Sequence, residues 1–137
     1  MKHRGIVAFV VALLAAGATA CDPANASNEI RTVHVTIHFS SFEPSVLDVA
    51  PGETVRFVVE NADPIDHEFL IGDGQLQQVH EEGTEAYHPP RPGEMSVPAR
   101  GTQVTTFTFA ADAGSLIFGC HLPGHYAYGM RGEISIG

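Results

Sequence analysis

The sequence predicts an all-β fold, an antiparallel sandwich of about seven short strands. Three observations predict it. Apolar residues recur at alternate positions in several short stretches, fourteen glycines and nine prolines supply turns between them, and no stretch shows a convincing amphipathic helical period. The 137 residues suit one domain and not two. With 44% apolar and 17% charged residues the chain is globular, because a disordered chain would be less apolar and more highly charged.

The first strand is set by Val33, Val35, Ile37 and Phe39, which alternate with His34, Thr36 and His38 and are expected to share the buried face. Ser45 to Val49 forms a second, ended by the turn Pro51-Gly52-Glu53, and Thr54 to Glu60, rich in Val and Phe, forms a third. Asn61-Ala62-Asp63-Pro64 breaks the chain before a fourth strand, His67 to Ile71. Residues 72 to 101 combine Gly, Pro, Glu and Gln with little periodicity and are expected to be a long irregular excursion. Thr102 to Phe109, Leu116 to Gly119 and Gly132 to Ile136 complete the set.

Residues 1–20 are expected to be a signal peptide outside the fold. Lys2, His3 and Arg4 form a basic start, Ile6 to Ala16 is apolar and uncharged, and Ala18-Thr19-Ala20 is a small-residue cleavage site. The apolar run is shorter than the roughly 20 residues of a membrane span. Residues 21–32 are small and polar and form a linker, so that the folded domain covers 33–137. Without Lys2 and Arg4 the chain keeps five arginines against sixteen acidic residues, a net charge of −11. That balance argues against a nucleic-acid partner, whose phosphates require a basic surface, and is compatible with steering of a basic protein.

The segment that carries chemistry is Cys120-His121-Leu122-Pro123-Gly124-His125-Tyr126-Ala127-Tyr128-Gly129-Met130. It offers a thiolate, an imidazole and a thioether at intervals of five residues, a set of soft or borderline donors. Zinc would use the Cys and His but gains little from a thioether, whereas copper cycling between Cu(I) and Cu(II) uses all three. A His₂Cys plane with a weak axial Met needs one more imidazole. His67, opening a strand after a Pro-containing loop, is the best candidate. Singly, each residue has a plainer explanation, a turn histidine, a core methionine or a buried cysteine; the spacing is what joins them.

The pattern Phe42-x-Pro44, Pro51-Gly52, Val55, Asn61 and His67 followed by Cys-x4-His-x4-Met resembles a small blue-copper protein, a cupredoxin. The resemblance covers residues 33 to 137. The spacing after the cysteine is longer than in plastocyanin and similar to that of rusticyanin and auracyanin. It implies a Greek-key β-sandwich, with His67, Cys120 and His125 as equatorial ligands and Met130 as the axial one. It also implies a type 1 copper site, one per chain, that carries single electrons between redox partners such as a cytochrome or an oxidase. The alternative is a copper-binding protein for storage, delivery or resistance without electron transfer. No open ligand position points to an enzyme.

His125 lies among Leu122, Pro123 and Tyr126, which form the expected patch through which electrons enter or leave. His34 and His38 are about 13 Å apart at strand rise, too far to share an ion, and are expected at the surface. His121 echoes the Cys-His pair of multicopper oxidases, but Gly119 stands where those enzymes place another histidine. His80, His88 and Met95, beside Glu81, Glu82 and Glu85, are a candidate second copper site. Cys21 follows a stretch that resembles a bacterial lipoprotein signal, so lipidation and a membrane tether are the preferred expectation; ordinary cleavage is the alternative, because Ala18 stands where that signal prefers Leu. The implied location is outside the cytoplasm, in the periplasm or on the cell surface.

Overall fold

The computed structural model describes residues 30–137, so the expected signal peptide, most of the linker and Cys21 lie outside the described residues. Among the described residues nine strands and one helix follow in the order β1 (Arg31–His38), β2 (Ser41–Glu43), β3 (Val46–Val49), β4 (Thr54–Asn61), β5 (His67–Gly72), α1 (Gly74–Glu81), β6 (Glu94–Val97), β7 (Thr102–Thr108), β8 (Leu116–Gly119) and β9 (Arg131–Ile136). They form two sheets, one ordered β2-β1-β4-β7 and the other β3-β9-β8-β5-β6.

Alternation decides which side chains fill the space between the sheets. Val33, Val35 and Ile37 of β1 and Val55, Phe57 and Val59 of β4 are buried from one side. Phe69, Ile71, Phe118 and Ile134 meet them from the other. Phe42 stands edge-on to both Phe69 and Phe118, with ring centroids 5.8 and 5.2 Å apart, which suits the aromatic quadrupoles. This aromatic packing fills the interior among the strands that carry the site.

Three expectations are corrected. The sandwich is not wholly antiparallel: β1 runs parallel to β4, and β3 runs parallel to β9. Phe39 does not continue the buried face of β1. It is 82% exposed, because the chain reverses at Phe39 and Ser40, both at positive φ, to pair β1 with β2. An alternating pattern that runs into a turn looks like one more strand residue.

Residues 72–101 are not irregular throughout; they contain α1 and the sheet strand β6. Asp73 caps α1, its side chain accepting from the Leu76 amide at 2.8 Å. The buried residue of this helix is Gln77 rather than an apolar one. Its amide group donates to the carbonyls of Leu70 (3.1 Å) and Ile117 (3.0 Å) and so pins the helix across β5 and β8. A helix anchored by a carboxamide leaves no apolar stripe to read. Among the described residues no helix is long and apolar enough to cross a membrane.

Candidate metal centre

The site lies at the pole where β5 begins and β8 ends. Asn61 closes β4 and is buried. Its amide donates to the carbonyls of Ile65 (2.7 Å), Val97 and Pro98 (both 3.1 Å), and its oxygen accepts from the Asp63 amide at 2.9 Å. Those four bonds fold residues 61–66 into a fixed corner and deliver His67 into the interior as the first residue of β5, fully buried.

Asp63 then orients His67. Its Oδ2 lies 3.1 Å from His67 Nε2, and its two oxygens also accept the amides of Phe39 and Ser40, each at 2.8 Å. The left-handed residues of that turn are costly for non-glycine side chains, and the carboxylate offsets the cost by satisfying both amides. Burial by itself would raise the Asp63 carboxyl, but the hydrogen bonds from Ser40, Phe39 and His67 outweigh it and hold it below its ordinary value. An ionised Asp63 keeps the hydrogen of His67 on Nε2, so the Nδ1 lone pair points inward. Burial pushes the His67 imidazole down despite Asp63, which keeps it neutral, the form that binds metals.

Cys120 follows β8 directly and is fully buried. Its sulfur is 3.9 Å from His67 Nδ1 and 3.2 Å from His125 Nδ1, and the two Nδ1 atoms are 3.2 Å apart. Among the described residues, these three form the one group of His, Cys, Asp and Glu donors whose ligand atoms all lie within 4.8 Å of each other. Burial raises the Cys120 thiol, opposed by the amides of Glu68 and Leu122. The Glu68 amide donates to the sulfur at 3.3 Å, so a hydrogen bond is in place for the thiolate that a metal would require.

The loop between β8 and β9 is a succession of tight turns. The His125 amide donates to the Leu122 carbonyl (2.9 Å), and the Met130 amide donates to the His125 carbonyl (3.0 Å). The Cys120 amide donates to the Met130 carbonyl at 3.1 Å. Residue 130 therefore clasps both other loop donors through its backbone, and its side chain is 2% exposed within the core. Gly124 holds φ +85° beside His125, a conformation that L side chains rarely adopt.

The structure also gives His121 a place that the sequence did not. Its ring stacks on Tyr126 with centroids 4.4 Å apart, and its two nitrogens face Gln77 Oε1 (2.6 Å) and Glu81 Oε2 (2.8 Å). It ties the residue after Cys120 to α1. A Cβ on Gly119 would come within 2.8 Å of Tyr126 and 3.0 Å of Gln77, so glycine there allows this close approach. The one signal for it in the sequence was polarity at residue 77, which alone names no partner.

Of the expected electron-transfer patch, Pro123 is exposed and His125 half-buried. Leu122 packs partly against the core, and Tyr126 is half-buried under the Arg131 guanidinium, 5.4 Å from its ring. Tyr128, 95% exposed, adds to this surface. His34 and His38 are exposed as expected.

The second cluster is arranged differently from its expectation. His80 lines two adjacent cavities, one of them shared with His88, while Met95 lies opposite Phe69 and packs against the core. The Glu85 carboxylate stands between the imidazoles, 2.7 Å from His80 Nδ1 and 3.1 Å from His88 Nε2. His80, His88 and Met95 are therefore not gathered as three donors around one point.

The donor chemistry at the pole fits copper. Two imidazoles and a cysteine sulfur converge at this pole, with a thioether residue next to them, which is the His₂Cys set with a weak Met of blue-copper sites. Comparisons agree with the fold. The cupredoxin-like domain model matches residues 6–130. A copper-resistant cuproprotein, CopI, of Rubrivivax gelatinosus is 34% identical over 118 residues, covering 83% of this chain and 71% of that protein. The auracyanin of the photosynthetic bacterium Roseiflexus castenholzii superposes with a TM-score of 0.62 at 23% identity, covering 77% of this chain and 96% of the other. Reduced rusticyanin does so with a TM-score of 0.51 at 24% identity, over 80% and 81%. This chain belongs to the cupredoxin-like family.

Proposed function

We propose that this chain binds one copper ion through His67, Cys120 and His125, with Met130 as the weak fourth ligand, and uses it to carry single electrons outside the cytoplasm. The observation that carries the proposal is the convergence of Cys120 Sγ and the two Nδ1 atoms within 4.8 Å. When bound, copper supplies a one-electron couple between Cu(I) and Cu(II).

The chain's own residues supply constraint. Asp63 fixes the ring of His67, the Glu68 amide supports the sulfur of Cys120, and the backbone of Met130 clasps residues 120 and 125. Donors held this way move little when the charge of a bound ion changes, and their burial keeps water from rearranging with them. His125 is the least buried of the three metal donors. With Pro123 and Tyr128 exposed near it in the loop, we assign this surface to a redox protein, such as a cytochrome or oxidase, that approaches closely. Tethering through a lipidated Cys21 would keep the domain near membrane partners. We propose no enzymatic role, because the donors face one another in the interior rather than an open cleft.

A second reading rests on the relatives, which are named copper-resistant cuproproteins. In it the chain holds and hands on copper without redox work. Voltammetry of copper-loaded protein separates the two: reversible reduction with the ion retained supports the carrier, and release of copper on reduction supports handling.

A further inference from the structure

His80 has the arrangement of a metal-ligating histidine, although it lies apart from the centre described above. Its Nδ1 is 2.7 Å from Glu85 Oε2, and Glu85 is also paired with Arg91. A carboxylate shared with a guanidinium is an acceptor, so in the neutral imidazole Nδ1 carries the ring hydrogen and Nε2 keeps its lone pair. Histidines that bind metals characteristically donate their other ring N–H to a carboxylate in this way.

The free Nε2 faces Glu68 Oε2 at 3.9 Å, too far for a hydrogen bond. Donors about 2.1 Å from one first-row ion lie roughly 3–4 Å from each other, so one ion spans this gap. His80 and Glu68 line a cavity of about 100 Å³, together with Glu94. That volume holds an ion with waters, since one water needs only about 10–15 Å³ on such a measure. Glu94 Oε2 is buried and makes no well-formed hydrogen bond, although Arg91 Nε is 3.0 Å away. Glu68, Glu85 and Glu94 outnumber the single cation Arg91, and the surplus negative charge favours a divalent ion.

We infer that His80 and Glu68, with Glu94 on the cavity wall, form a second and weaker metal site for a divalent first-row ion. Imidazole and carboxylate donors take such ions in the Irving–Williams order, which places Cu²⁺ highest. The site differs from the trio expected from the sequence, because Met95 packs against the core and His88 is turned to Glu85, leaving Glu68 beside His80. It adjoins the first centre: the Glu68 amide bonds Cys120 Sγ, and Glu68 Oε2 accepts the His121 amide at 3.3 Å. An ion there is separated from the Cys120 sulfur by one residue, a position suited to copper waiting to enter the buried site. That last role rests on the proposed copper centre; the second site itself does not.

The test is titration of the full chain with Cu²⁺, following metal stoichiometry after dialysis, the visible thiolate–copper band and the electron paramagnetic resonance spectrum. We expect the band to saturate at one equivalent, and a second equivalent to bind with a separate resonance signal and no further gain in the band. Cys120→Ser should lose the band and keep the second equivalent. His80→Gln should keep the band and bind the second equivalent at least tenfold more weakly, and Glu85→Gln should weaken it about 10–100-fold. Wild-type chain that stops at one equivalent, or His80→Gln chain that takes two with unchanged affinity, overturns the second site. Absence of the visible band with a second-site signal present overturns the first centre alone.

Discussion

The carboxylate of Asp63 ties the ring of His67 to a turn from another part of the chain: Oδ2 lies 3.1 Å from Nε2, while both oxygens hold the amides of Phe39 and Ser40 at 2.8 Å. One buried side chain therefore sets the tautomer of a proposed ligand and stabilises a left-handed hairpin turn. Removing it should be felt in both places. Asp63→Ala is expected to lower stability by about 1–3 kcal/mol, the cost of orphaning buried donors, and to weaken copper binding about 10–100-fold. Asp63→Asn, which keeps one acceptor oxygen, should be milder in both. Denaturant unfolding of the metal-free protein and copper competition titrations measure the two effects, and equal behaviour of the two variants would contradict the role given to the carboxylate.

Cys120→Ser replaces the sulfur donor with a hydroxyl of similar shape. The intense visible absorption of the copper-loaded protein should vanish, because it needs a thiolate, while circular dichroism keeps the β signature. A variant that stays coloured would show that copper binds elsewhere.

Gly119→Ala introduces a methyl group 2.8 Å from the Tyr126 ring and 3.0 Å from Gln77. Overpacking of this kind costs about 1–3 kcal/mol. Displacing Tyr126 should also disturb the stacked His121 and shift the visible spectrum, because His121 follows Cys120 directly. Thermal unfolding and absorption of the same sample check both; a lower melting point with an unchanged spectrum would separate this packing from the metal centre.

Acid should loosen the segment between α1 and β6. The hydrogen bond from His80, opposed by burial and aided by Arg91 and His88, holds the Glu85 carboxyl down at about 2, against an ordinary value of 4.5. A depressed carboxyl contributes stability that is complete above its unfolded value and is lost as pH falls through the folded one. The melting temperature of metal-free protein should therefore decline between about pH 4.5 and 2, and Glu85→Gln should flatten part of that decline. Superimposable pH profiles for the two proteins would remove Glu85 from the account.

Pro123→Glu should slow electron exchange with a partner protein that docks through apolar contacts around His125, and leave the visible spectrum unchanged. Pro123 is a cleaner probe than Leu122, which also packs against the core. Stopped-flow oxidation by such a partner gives the rate, and an unaltered rate would move the docking surface away from His125.

The strands were legible wherever one face is buried and the other is wet. Val33, Val35 and Ile37 alternate because the sandwich interior requires it, and β3, β4 and β9 show the same alternation. The same logic failed at Phe39, whose apolar side chain sits in a turn held by hydrogen bonds from a residue 24 positions away. It failed again at α1, where a buried Gln77 replaces the apolar stripe. Both errors come from polar groups satisfied at long range, which no local pattern records.

By itself the sequence determined the donor types and the loop that carries three of them, because thiolate, imidazole and thioether chemistry belongs to residue identity and the spacing from 120 to 130 is covalent. It also determined the alternation that builds a β-sandwich. Only the tertiary structure decided that His67 Nδ1 meets Cys120 across 53 positions of chain, that Asp63 and Glu68 support them, and that His80 faces Glu68 rather than His88. Those relationships depend on how the sheets pack and on which buried polar groups find partners, and that balance is struck in three dimensions.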